Sequence, residues 1–249
     1  MSISTDRKEI LRVSNNIVGL WHPNHRNIRS DGACGNIFEG MFGVKENNLK
    51  CADFNGNFEM KALDNSSNTM LTLFSKEPNP RGYVSKVLVG DYGYIDERGR
   101  KAFSVTLTNT PNNRGFFYKK NRDTLSLHCD LNHADKSDWS DNLSIKYGRT
   151  PVVESFYDMS DIRASIDSKL HNVVLAYYDK QAIDGVNFVR YSRIIIYENL
   201  DVKSLEKYFT KGKIKIDFRA RAGKNHGTAF RIQRNDLPNL WKNVTVIEG

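Results

Sequence analysis

The chain has 249 residues, 39% of them hydrophobic and 27% charged, which is enough apolar material for one sizeable domain or two lobes and excludes wholesale disorder. Its net charge of +8 favours a polyanionic partner, with nucleic acid the first candidate. No apolar run approaches the roughly 18–20 residues that span a bilayer, and no signal-peptide pattern opens the chain, so the expectation is a cytoplasmic protein with no membrane association.

In chain order, Ile10, Val13, Ile17 and Trp21 recur at helical spacing. Residues 6–21 are therefore predicted as an amphipathic helix, opened by Asp6 and Glu9 as a capping box and closed by Pro23. A glycine-containing stretch at 30–35 leads into a second helix through Phe38 and Phe42. From 49 to 74 the pattern becomes short strands, stopped by the turn sequence Pro78-Asn79-Pro80-Arg81-Gly82. Strands are predicted at 84–89, 102–107, 116–119 and 125–129, with a polar loop at 135–141. A short helix at 161–170 and strands at 173–178 and 186–197 follow. Asp201 then caps a helix through Tyr208, and strands at 213–221 and 227–233 complete the reading. This order of helices and strands argues for an α+β (mixed α/β) fold.

Three widely spaced cysteines, Cys34, Cys51 and Cys129, suit a reducing compartment and no disulfide framework. His22 and His25 are spaced HxxH upstream of Cys34 and Cys51, but Pro23 interrupts the pair and the cysteines miss the usual zinc spacings.

The segment 39–61 carries the chemistry. Glu59 and Lys61 lie two apart on a predicted strand and share a face, while Met60 points into the core. Asn55-Gly56 marks a tight turn. A two-residue loop would send Asp53 and Glu59 to opposite faces. A three-residue loop, Asn55-Gly56-Asn57, pairs Phe54 with Phe58 and Asp53 with Glu59, and that register is the one expected. It gathers two carboxylates and an ammonium on one face and two phenylalanines on the other. Phosphodiester hydrolysis needs such a set: hard oxygen ligands for Mg²⁺ from Asp53, Glu59 and the Met60 carbonyl, and Lys61 to orient water and offset phosphate charge. Glu39, on the preceding helix, would hold Lys61 or a second metal. A plain alternative is a solvated strand face with an ion pair. Against it, Glu-x-Lys occurs once in the chain, between apolar neighbours Phe54, Phe58 and Met60, where three charges are costly without a purpose.

The runs Gly35-Asn36-Ile37-Phe38-Glu39, Lys45-Glu46-Asn47-Asn48-Leu49, Ala52-Asp53 and Phe58-Glu59-Met60-Lys61 resemble the PD-(D/E)xK nuclease superfamily. The resemblance is closest to the MutH-like branch with its MvaI/BcnI-type restriction endonucleases. In order and approximate spacing, Glu39, Asp53, Glu59 and Lys61 match that branch's catalytic set. Ala52 stands where the family often has proline, a difference that shapes backbone rather than removing a ligand. Two further blocks resemble the MvaI type: 71–76 with 79–82, and His226-Gly227-Thr228-Ala229-Phe230-Arg231-Ile232. The resemblance implies a restriction-endonuclease-like central mixed sheet flanked by helices, in two lobes around a DNA-binding cleft. Residues 1–110 would form the catalytic lobe and 111–249 the recognition lobe. It also implies a monomeric, Mg²⁺-dependent type II enzyme leaving 5'-phosphate ends at a short, G/C-rich pseudo-palindrome, with a protecting methyltransferase as genetic partner. The rivals are a MutH-like nicking enzyme, a non-catalytic DNA-binding protein and a small-molecule enzyme with an incidental basic surface.

Along 213–221, Lys213, Lys215, Asp217, Arg219 and Arg221 alternate with apolar residues, a row suited to a DNA groove, although a charged edge strand has the same pattern. Lys224, His226, Thr228 and Arg231 extend the polar set, and Arg81, in its turn, is a candidate phosphate clamp.

Overall fold

The computed structural model describes residues 2–24, 32–45 and 51–249, and among these all side chains except that of His226. The first helix, α1 (Ile3–Ile17), is capped by Ser2, whose side chain accepts the Thr5 amide. Asp6 therefore lies within the first turn of the helix and is not its cap. The helix also stops earlier than its apolar spacing suggests, because Val18 turns extended and Gly19 takes a φ of 77°. Trp21 starts a strand instead, β1 (Trp21–Pro23). Next come α2 (Ala33–Met41), β2 (Glu59–Asp64) and β3 (Leu71–Ser75).

The predicted strand at 84–89 is helical: a π turn at Val84–Leu88 continues into α3 (Val89–Tyr92). Val84, Leu88 and Tyr92 are all buried at i, i+4, i+8, so helical periodicity prevails over the strand preference of the valines. The strands β4 (Tyr94–Ile95), β5 (Lys101–Leu107), β6 (Phe116–Lys120) and β7 (Thr124–Cys129) follow. The predicted polar loop at 135–141 leads straight into a helix, α4 (Asp138–Tyr147), opened by a reciprocal Ser137–Ser140 capping box. Only Ser140 and Leu143 of that helix are buried, too few positions to leave a readable stripe. The rest of the chain is β8 (Phe156–Asp158), α5 (Met159–Lys169), β9 (Asn172–Ile183), β10 (Val186–Leu200), α6 (Val202–Thr210), β11 (Ile214–Arg221), β12 (Lys224–Ile232) and β13 (Trp241–Glu248). Among the described residues, no helix is long and apolar enough to cross a membrane.

These elements form two compact units, and neither is contiguous in sequence. One comprises Met1–Thr69, Ser165–Asp201 and Leu237–Gly249; the other comprises Met70–Ala164 and Val202–Asp236. The division therefore does not follow a single cut at residue 110. Long-range strand pairing is the reason, since β2 lies parallel to β9, more than a hundred residues later.

In the first unit the sheet order is β1-β10-β9-β2, and β13 shares the β10 edge with β1. Ile10, Val13 and Ile17 of α1 and Phe38 of α2 pack with Val174, Ala176, Ile194 and Ile196 on one sheet face. Phe54, Phe58 and Met60 join the same cluster. In the second unit a five-stranded sheet runs β3-β12-β11-β5-β4, beside a three-stranded sheet β6-β7-β8. Its interior is aromatic: Phe103, Phe116, Phe218 and Phe230 are fully buried, and Phe74 stacks on Phe230 at 4.6 Å between ring centroids. Within this unit the Tyr118 hydroxyl reaches the backbone carbonyls of Phe209 and Ile214, tying β6 to the end of α6 and the start of β11.

Candidate active site and DNA face

The turn before β2 has the three-residue form. Phe54 and Phe58 bridge antiparallel, with the Phe54 amide donating to Phe58 O at 2.9 Å and the Phe58 amide to Phe54 O at 3.2 Å. Asn55 and Gly56 turn the chain at φ 52° and 74°, which asparagine and glycine accept more readily than other residues. Both phenylalanines are buried, 7% and 0% exposed, and each contributes roughly 1.5–3 kcal/mol toward holding this register. A one-residue slip would expose them and turn the charged residues into the core.

Asp53 and the Glu59–Lys61 strand meet on the other side of that hairpin. The Asp53 carboxylate accepts the Met60 amide through Oδ2 at 3.0 Å. Its Oδ1 accepts no hydrogen bond among the described residues. Glu59 is 5% exposed and takes the Lys61 ammonium on Oε1 at 2.9 Å. Glu59 Oε2 is buried without a hydrogen-bond partner among the described residues. Lys169, at the end of α5, lies 3.7 Å from it, close enough for attraction and too far for a hydrogen bond. Lys169 is the residue sequence reasoning missed. It lies far from the motif in the chain and no local pattern marks it; only the parallel pairing of β2 with β9 brings the end of α5 to Glu59.

Glu39 lies half-buried on α2, which packs against β2. Glu39 was expected to hold Lys61 or a second metal; Lys61 itself donates to Glu59 Oε1 at 2.9 Å. Met60 is 3% exposed and its side chain belongs to the core, so only its backbone faces the chemistry. Among the described residues no group of three or more His, Cys, Asp or Glu gathers as a metal site. The donor set is instead two carboxylates and a strand carbonyl, all oxygen. Such hard donors suit Mg²⁺, which keeps several of its own waters and needs only one or two carboxylates. The buried, unserved Oε2 of Glu59 and the open Oδ1 of Asp53 are the two atoms that a cation would satisfy.

Of the HxxH pair, His22 lies against the Ile17 carbonyl, its Nε2 at 3.0 Å, and His25 lies outside the described residues. Residues 46–49 of the resemblance block that starts at Lys45 also lie outside them. Cys34 and Cys129 are buried free thiols and Cys51 is an exposed one.

The second unit carries the basic face. β11 is an interior strand, paired with β5 on one side and β12 on the other, so its charges do not guard an edge. Ile214, Ile216, Phe218 and Ala220 are buried; Lys215 and Arg221 are half-buried and Arg219 is exposed. Asp217 departs from that alternation, because it is 7% exposed and fully engaged. It accepts hydrogen bonds from Thr106 Oγ1 at 3.0 Å and Arg219 Nε at 2.9 Å, and Arg231 pairs with it as an ion at 3.2 Å. Arg231 sits deeper than Arg219, and burial pulls its guanidinium pKa down against the opposing pull of the Asp217 charge. Arg231 Nε is buried without a hydrogen-bond partner among the described residues.

The other predicted contacts are scattered. Lys213, just before β11, pairs with Asp236, and that hydrogen bond raises its pKa. Lys224 and Arg81 are exposed, Arg81 directly after a cis Asn79–Pro80 bond. His226 lies on β12 with its side chain outside the description. Thr228 is 1% exposed on the core side, opposite Phe218, so its side chain is not presented to a ligand. Strand periodicity explains this: the two-residue step from Thr228 to Phe230 keeps both on the apolar face. The two further blocks that carry the resemblance prove to be hydrogen-bonded neighbours, with β3 pairing β12 at Ser75–Ala229, Phe74–Phe230 and Thr72–Arg231.

The model of the MvaI/BcnI restriction endonuclease family matches residues 12–241. Comparison with curated proteins returns no match. Among solved structures, the chain is similar to a restriction endonuclease MvaI–cognate DNA substrate complex, with a TM-score of 0.74 and 22% identity over 99% of both chains. It is also similar to restriction endonuclease MvaI in the absence of DNA, with a TM-score of 0.55 and 23% identity over 99% of both chains. These two likenesses carry the fold; the family match spans nearly the whole sequence, from inside α1 to the start of β13. The chain belongs to the MvaI/BcnI restriction endonuclease family and is a type II site-specific DNA endonuclease.

Proposed function

We propose that the protein hydrolyses both strands of DNA in a Mg²⁺-dependent reaction at the Asp53–Glu59–Lys61 face, leaving 5'-phosphate ends. The observation that carries this reading is the hairpin register, which sets the Asp53 carboxylate on the Met60 amide beside a Glu59 oxygen with no hydrogen-bond partner. Asp53, Glu59 and the Met60 carbonyl would hold the cation. When bound there, a divalent cation supplies Lewis acidity at the phosphate. Lys61, held by Glu59 in the free protein, orients the attacking water and offsets the negative charge that builds on the phosphate oxygens. Glu39 belongs to the same assembly as a support for this face from α2.

Recognition falls to the second unit. Asp217 holds Arg219 by one hydrogen bond and Arg231 by an ion pair, which leaves guanidinium donors for base edges, guanine O6 and N7 above all. Lys213, Lys215, Arg221, Lys224 and Arg81 act on phosphates, and His226 on the same DNA surface. The similar MvaI structure holds its cognate DNA substrate, which supports double-stranded DNA as the partner here. The preferred site is short, G/C-rich and pseudo-palindromic, and the enzyme works as a monomer in the cytoplasm, beside a methyltransferase that protects the same site.

Digestion of a plasmid with Mg²⁺, followed by sequencing of the ends, tests this reading. Linear products with 5'-phosphates at one recurring sequence are expected. Nicked circles alone would point to a MutH-like strand nickase, and intact plasmid at every metal concentration would overturn the catalytic assignment.

A further inference from the structure

We propose that Asp6 is a positioning residue for the metal site, acting through the turn that joins Asp53 to Glu59. The inference rests on the assignment of those two carboxylates to cation binding.

Asp6 lies in the first turn of α1 and is 1% exposed. Its two oxygens divide between the two asparagines that flank Gly56. Oδ1 accepts Asn55 Nδ2 at 2.8 Å, and Oδ2 accepts Asn57 Nδ2 at 2.6 Å. Among the described residues its side-chain partners are thus two neutral amides, with no ion pair. A carboxylate in a helix's first turn is favourable toward the helix dipole, but that role needs neither burial nor a shared turn. Burying a carboxylate is costly unless its oxygens are hydrogen-bonded, and here one loop gives each oxygen a donor. Asn172, at the start of β9, grips the same loop from the other side, its Nδ2 donating to Asn57 O at 3.1 Å. Asn172 is itself buried and fixed by the Asn199 amide.

The turn is thereby held at both asparagine side chains and at the Asn57 backbone. With the turn fixed, Asp53 stays opposite Met60 and Glu59 before any cation arrives. The geometry is prepaid in the free protein, and a cation need not order the hairpin to bind it. Loosening the clamp therefore weakens metal affinity more than it slows the loaded enzyme.

The test compares the full-length protein with Asp6→Ala, Asp6→Asn and Asn57→Ala, and with Asp53→Ala as reference. Two quantities are read: Mn²⁺ affinity by titration calorimetry, and the Mg²⁺ concentration giving half-maximal plasmid cleavage. Asp6→Ala should weaken both by about tenfold or more, the usual effect of losing an outer partner of a metal ligand. Its cleavage rate at saturating Mg²⁺ should stay within a few-fold of wild type. Asp6→Asn, which retains one acceptor, should fall between them, and Asn57→Ala should shift the metal constants in the same direction. Should Asp6→Ala not fold, Asn55→Ala and Asn57→Ala make the same test with Asp6 in place. A lowered unfolding temperature with unchanged metal constants would overturn the proposal and leave Asp6 a purely structural residue. Asp53→Ala separates the two levels. If it binds Mn²⁺ and cuts like wild type, the metal-site reading fails and this inference with it. If it loses both while the Asp6 variants keep wild-type constants, only the inference fails.

Discussion

Glu59 and Asp217 are two carboxylates buried on strands, 5% and 7% exposed, and the fold treats them differently. Asp217 is saturated: a hydroxyl and two guanidinium groups converge on it. Glu59 has one ammonium in hydrogen-bonding range and an opposite oxygen with no hydrogen bond, facing Lys169 across 3.7 Å. A saturated carboxylate is an anchor, and the part in DNA binding proposed for it is to orient its arginines. An under-served one, next in sequence to the amide that holds the Asp53 carboxylate, is the proposed place for a cation. Burial alone does not distinguish the two roles; counting satisfied lone pairs does.

The largest effects should come from the under-served side. Lys61→Ala removes the group assigned to water orientation and charge stabilisation, and cleavage should fall on the order of a hundred- to a thousandfold. DNA binding in Ca²⁺, measured by gel shift, should remain within a few-fold. Equal losses of binding and cleavage would return Lys61 to a structural ion pair.

On the saturated side, Asp217→Asn should free both arginines and leave the desolvated Arg231 without a counter-charge. Thermal unfolding should show a loss of about 1.5–3 kcal/mol, the usual worth of hydrogen bonds to charged groups, together with weaker DNA binding. Arg231→Ala and Arg219→Ala should each cost about 1–3 kcal/mol of binding and relax sequence preference; a uniform loss across sequences would make them phosphate contacts. Lys224→Ala should weaken binding evenly and lower the slope of affinity against salt by about one. The smallest effect belongs to Thr228→Val. The Thr228 side chain lies in the core, so DNA affinity should not change, and a measurable loss would show that β12 presents a different face to DNA.

What could be read from the sequence follows the range of the interactions involved. The Asp53–Glu59 hairpin was legible because every signal is local: Asn55-Gly56 at the turn, phenylalanines two residues to either side of the apex, and Glu-x-Lys on the outgoing strand. The basic alternation of β11 was legible for the same reason, but its place inside the sheet was not, since that depends on β5 and β12 arriving from elsewhere. Lys169 and the interleaved division of the chain were invisible because both depend on strand pairing across long separations. Asp6 was visible and misread: its position before an apolar stripe looked like a cap, whereas Ser2 caps α1 and Asp6 turns to the loop. At 84–89 two competing periodicities fitted one short apolar run, and helix was the one that buried Val84, Leu88 and Tyr92 together.

The most direct test of the central claim is the behaviour of Asp53→Ala on plasmid DNA, with cleavage followed in Mg²⁺ and binding in Ca²⁺. The account predicts no detectable cleavage at any Mg²⁺ concentration and binding close to wild type, because Asp53 touches the Met60 amide and lies in the unit that does not carry the Asp217–Arg219–Arg231 face. Cleavage that persists in Asp53→Ala at the wild-type Mg²⁺ dependence would contradict it.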